Sequence, residues 1–198
     1  MKLSITTVFF VITILLCSCN GQGQKTEKQQ IKNYTPTSGD ISVRLDVKKI
    51  VDSIEAGNNV TSAYIGYSGS PSSQWKDYQE LKKIATADEL ISLTDHKNGA
   101  VRCYAFHALA AKQSDKVFSI LLHHLYDTAK IETISGCDIS SEMVGDYFIN
   151  VVTPKYIDLD VYKLTGDERK KLDEILLKDD KIILYARDLV VRNLKRTP

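Results

Sequence analysis

Cys103 and His107 stand four residues apart, so a helix would bring them to one face, as a thiol nucleophile and its base require. Nothing in the sequence supplies the orienting third group or the oxyanion donors that such a pair needs. His107, His123, His124 and Cys137 are the residues from which a zinc site could be drawn. Their spacing matches no ligand motif, and adjacent His123 and His124 would point about 100° apart on a helix. The chain has no Gly-x-Ser-x-Gly elbow, no His-Glu-x-x-His and no Gly-x-Gly-x-x-Gly. Its acidic residues are interspersed with lysines, as on a solvated helical surface. The expectation is therefore no catalytic residue, no metal and no cofactor. A thiol- or metal-dependent hydrolase or lyase is the competing reading.

The residues with the clearest chemistry lie at the N-terminus. Lys2 is the only charge before an apolar run from Leu3 to Leu16. That run falls short of the roughly 20 residues a membrane span needs and suits the core of a secretory signal. Leu16-Cys17-Ser18-Cys19 resembles a bacterial lipobox, with small Ser18 before the cleavage point and Cys19 as the lipidated residue. The resemblance implies a signal peptide over 1–18 and export to the bacterial cell envelope. It also implies a lipid anchor in a bacterial membrane, because two or more acyl chains hold stably where one is marginal. Cleavage removes Lys2 and leaves acidic and basic residues balanced at 25 each. That balance argues against nucleic acid as a partner, which would demand a basic surface. Residues 19–40, rich in Gly and Gln, have too few apolar groups to offset their ordering entropy and read as a flexible tether.

The body, 41–198, must then position whatever else the protein uses. Thr86 to Lys112 is its best-patterned stretch. Leu90, Ile91 and Leu93 make one apolar helix and Thr94-Asp95-His96 closes it. Lys97-Asn98-Gly99 supplies a turn, and Val101, Ala105, Ala108 and Leu109 form one stripe of a second helix. The residues Leu90, Leu93, Asp95, Val101, Arg102, Ala105, Ala108 and Leu109 resemble a HEAT-type repeat. That resemblance implies an all-α, HEAT-like α–α superhelix of stacked hairpins. It also implies a structural role for Arg102, reaching Asp95 or turn carbonyls. Stacked hairpins present extended binding surfaces, so a protein or peptide partner is the expected function. A purely structural lipoprotein is the further alternative.

Around that hairpin, Ser42 to Glu55 shows a helical stripe of Val43, Val47, Ile50, Val51 and Ile54. Val60 to Pro71 alternates briefly, but Gly66, Gly69 and Pro71 favour a loop over a strand. Its Tyr64 and Tyr67, with Trp75 on the next helix, either cover the end of the stack or contact a partner. Thr128 to Ser141 reads as a break, followed by a helical run beginning at Ser140. Thr165 with Glu168 forms a capping-box pattern ahead of Leu172, Ile175 and Leu176. Cys103 and Cys137 remain in the mature body; exported thiols tend to pair, and two buried thiols are the other reading.

Overall fold

The computed structural model describes residues 34–36, 41–153 and 161–194. Helix α1, Leu45–Gly57, buries Val47, Val51 and Ile54 and ends where Asn58 adopts a left-handed backbone with φ 52°. Strand β1, Asn59–Ile65, and the two-residue β2, Ser70–Pro71, follow as a hairpin. Gly66 and Gly69, both at positive φ, turn the chain between them. Helix α2, Ser73–Ile84, starts at Ser72, whose side chain accepts the Trp75 N–H. Helix α3, Ala87–Leu93, opens on a capping box between Thr86 and Glu89. Helix α4, Gly99–Ala111, is capped by Asn98. Helix α5, Val117–His123, leads into β3, Lys130–Gly136, and β4, Asp138–Met143. Helices α6, Val144–Val152, α7, Gly166–Lys178, and α8, Tyr185–Leu194, complete the order.

The expected all-α superhelix is not the fold. Among the described residues helices α2, α4 and α6 pack against a four-stranded mixed sheet in the order β2-β1-β3-β4. Strands β1 and β3 run parallel, with Asn59 opposite Glu132 and Val60 opposite Thr133. All of α2 to α5 lies in the connection between them, as a parallel pair demands a long crossover. Strands β3 and β4 pair antiparallel from Lys130↔Met143 to Ser135↔Asp138. Their connection is the two-residue loop Gly136–Cys137, which glycine's φ of 58° at the first position permits. The stretch read as a break is thus a hairpin, and β4 occupies residues assigned to a helix start.

Helix α4 is the centre of the molecule. Val101, Ala105, Ala108 and Leu109 are buried as the stripe requires, but so are Cys103, Tyr104 and Phe106. A helix apolar on every side is covered on every side, and α4 packs against α2, α3, α6 and both central strands. Its small residues admit these neighbours closely. At Gly99 an added Cβ would lie 2.7 Å from Ile131 of β3. Helices α3 and α4 do pack as a hairpin. Beyond them α1 packs on α2 and α7 on α8, but the sheet interrupts any regular stack of such pairs.

Candidate functional site

Two polar constellations stand out, one sealed and one open. The sealed one is built around Arg102, which is fully buried. Its Nε and Nη2 donate to Oδ2 and Oδ1 of Asp127 at 2.8 and 3.0 Å, a two-point guanidinium–carboxylate pair. Its Nη1 donates to the carbonyls of His96 and Lys97 at 2.7 and 3.0 Å, closing the α3–α4 turn. The carboxylate partner is Asp127, beyond α5, and not Asp95. Asp127 also receives the Ala129 N–H at 3.3 Å, and His124 Nδ1 lies 3.3 Å from its Oδ2. Burial pushes the His124 imidazole below its ordinary range, opposed by its hydrogen bond to Asp127 and that carboxylate's charge. His124 Nε2 is buried without a hydrogen-bond partner, 3.6 Å from Asp95 Oδ1. Tyr34, within the segment read as a tether, lays its ring over this cluster, 4.4 Å from the His124 ring and 5.5 Å from the Arg102 guanidinium carbon. With all three guanidinium nitrogens hydrogen-bonded and both partners out of water, the constellation fixes α3, α4 and α5 together.

The open constellation is a groove of about 660 Å³ between β4, α6, α7 and α8. Apolar side chains from three helices line it, among them Ile149, Leu172, Leu176, Leu189 and Val190. Lys130, Glu142, Asp146, Arg169 and Asp173 bring charge to it. Helix α6 positions one wall because Val144, Phe148, Ile149 and Val152 face the core, which turns Asn150 outward. Asp146 holds the opposite wall in place. Its Oδ2 and Oδ1 accept the N–H groups of Tyr185 and Ala186 at 3.0 and 2.9 Å, capping the start of α8. Gly145 beside it permits the close approach, since a Cβ there would sit 2.8 Å from the His124 carbonyl and from Leu184. Burial raises the Asp146 carboxyl, opposed by those two backbone donors. Burial likewise raises Glu142, opposed by the Asn150 amide and reinforced by the charge of Asp146. Both Asp146 oxygens are committed to the cap, so the two carboxyl groups do not form a free acid–base pair.

The residues singled out from the sequence do not converge here. Tyr67 is fully exposed and Tyr64 largely so, at the β1–β2 hairpin. Trp75 is half-buried instead, its ring 4.9 Å from that of Tyr78. Cys103 is buried and burial pushes its thiol far up, which keeps it protonated and non-nucleophilic. His107 shares a hydrogen bond with the Tyr147 hydroxyl at 3.1 Å. Cys137 is exposed at the β3–β4 loop, and both cysteines are free thiols, so no bridge ties them. Asp95 lies 3.6 Å from Nε2 of both His123 and His124. Among the described residues no three His, Cys, Asp or Glu side chains are placed to hold a metal ion. Cys19 and the signal segment lie outside the described residues.

The groove residues Glu142 and Asp146 were missed because Ser140 to Glu142 reads as a helix start. The available signal was an acid, Asp146, inside the apolar run Val144 to Val152. No family model matches the chain, and no curated protein is similar to it.

Proposed function

We propose that this protein is a lipid-anchored component of the bacterial envelope whose body holds a peptide or protein segment in the groove between β4, α6, α7 and α8. The observation that carries the reading is the groove itself. Its volume of about 660 Å³ suits a ligand of several side chains, and it combines apolar walls with a few placed polar groups. It is assembled from four separate elements, so a bound segment would rest on a rigid frame. The anchor part of the reading rests on the sequence of residues 1–19. In it the acyl chains on Cys19 would supply the attachment; among the described residues no helix is long and apolar enough to cross a membrane.

Each part has its own test. Cys19→Ala is expected to move the chain from the membrane fraction to the soluble fraction and to abolish palmitate labelling. A chain that stays membrane-bound and labelled would refute lipidation at Cys19. For the groove, Leu189→Trp on α8 places a large ring across an exposed wall position. The full chain in detergent should retain members of a hexapeptide library, and the variant should lose about tenfold or more in affinity, the loss of roughly one anchoring contact. Equal retention by both proteins, with matching thermal unfolding, would overturn the groove as the binding site.

A further inference from the structure

The charges in the groove can be assigned one by one. Arg169 Nε lies 3.8 Å from Asp173 Oδ2, so those two offset each other. Asp146 is committed to the cap of α8. Lys130 is exposed at the start of β3, where its long stem reaches water. Glu142 differs from all of these. It is half-buried, its Oε2 accepts only the Asn150 amide at 2.9 Å, and no ion pair with a cation is formed among the described residues. A carboxylate partly removed from water and lacking a counter-charge gains most from a cation that arrives with a ligand.

The strand bearing Glu142 has two further properties. Its sequence, Asp138 to Met143, contains Asp138 and Glu142 and no Lys or Arg. Residues four apart on a strand share a face, so both acids project the same way. Strand β4 is also an edge, paired with β3 on one side and with no strand among the described residues on the other. An open edge offers backbone N–H and C=O groups to an incoming extended segment.

We infer that the groove takes an extended peptide segment carrying a lysine or arginine, which adds as a further strand along β4 and sets its cation against Glu142. This rests on the groove being a peptide-binding site. Backbone pairing to β4 would give affinity without regard to sequence. Glu142 would supply the preference for a basic residue at one position, and the apolar walls would receive its neighbours.

The test uses a positional-scanning library of acetylated, amidated hexapeptides and the full chain in detergent. The wild type should prefer Lys or Arg over norleucine at one position by about tenfold, as expected for one charge-assisted contact. Glu142→Gln keeps the shape and the bond to Asn150. It should erase that preference, so that the lysine, arginine and norleucine peptides are retained alike. N-methylation at alternate backbone nitrogens of the best basic peptide should weaken it about tenfold by removing a ladder bond. Retention without a basic preference, or a preference that survives Glu142→Gln, overturns the assignment of Glu142 and leaves the groove reading standing. Indifference to N-methylation at every position overturns strand addition. No retention of any peptide by the wild type overturns the groove reading, and this inference with it.

Discussion

Arg102→Ala is expected to lower the unfolding free energy by about 3–5 kcal/mol, the cost of stranding a buried charge when its partner is removed. The stranded charge is Asp127, only 2% exposed, which loses two charge-assisted bonds at once. The carbonyls of His96 and Lys97 lose their donor as well. Lysine in the same place should recover only part of the loss, because an ammonium cannot make the two parallel bonds of a guanidinium. The informative comparison is the double variant Arg102→Met with Asp127→Leu. It removes both charges and fills the space with apolar atoms, so it should be less damaging than Arg102→Ala alone. It will not return to wild type, since His124 Nδ1 and the Ala129 N–H then lose their partner. Urea denaturation followed by far-ultraviolet circular dichroism measures all three. A single-variant loss below about 1 kcal/mol would show that Asp127 regains water and that the pair is not sealed.

The role of Arg102 illustrates what the sequence disclosed and what it did not. The resemblance to a HEAT-type repeat implied a reach to Asp95 or to turn carbonyls, and the carbonyl contact is made within six residues. Its acid was misassigned because Asp127 lies 25 residues further on and only the fold brings it in. The same division runs through the whole chain. The capping boxes Thr86–Glu89 and Thr165–Glu168 and the stripe of α1 are local chemistry and could be read directly. Strands β1 and β3 could not, since each is stabilised by the other across the α2–α5 connection. Their Ser, Thr and Gly content also resembles that of loops, and β4, with its Ser-Ser-Glu, resembles a helix cap. Once the sheet was overlooked, the groove was invisible, because one of its walls is the edge of that sheet.

Phe148→Ala should cost a similar amount, about 3–5 kcal/mol for an aromatic side chain removed from a sealed core. Phe148 is fully buried, and its ring stacks on that of Phe106 with centroids 3.9 Å apart and planes 9° from parallel. The contact joins α6 to α4, the central helix. The Phe148 ring also lies 4.8 Å from the His124 ring, so it backs the polar cluster around Asp127. Phe106→Ala removes the other half of the stack, and the double variant should be less destabilised than the two single losses added together. Residues in contact couple in this way, typically by about 0.5–3 kcal/mol. The consequence for function follows from the neighbours of Phe148 on α6. Asp146 holds the start of α8, Ile149 lines the groove and Asn150 holds Glu142. A helix that has lost its core anchor should hold these groups less firmly. Phe148→Ala is therefore expected to weaken hexapeptide binding as well as stability, whereas Arg102→Ala, whose lost hydrogen bonds go to Asp127, His96 and Lys97 and to no groove residue, should leave binding by the folded fraction unchanged. Binding measured well below each variant's unfolding midpoint decides this. Equal losses in both variants would mean that the groove responds to global stability and not to the seating of α6.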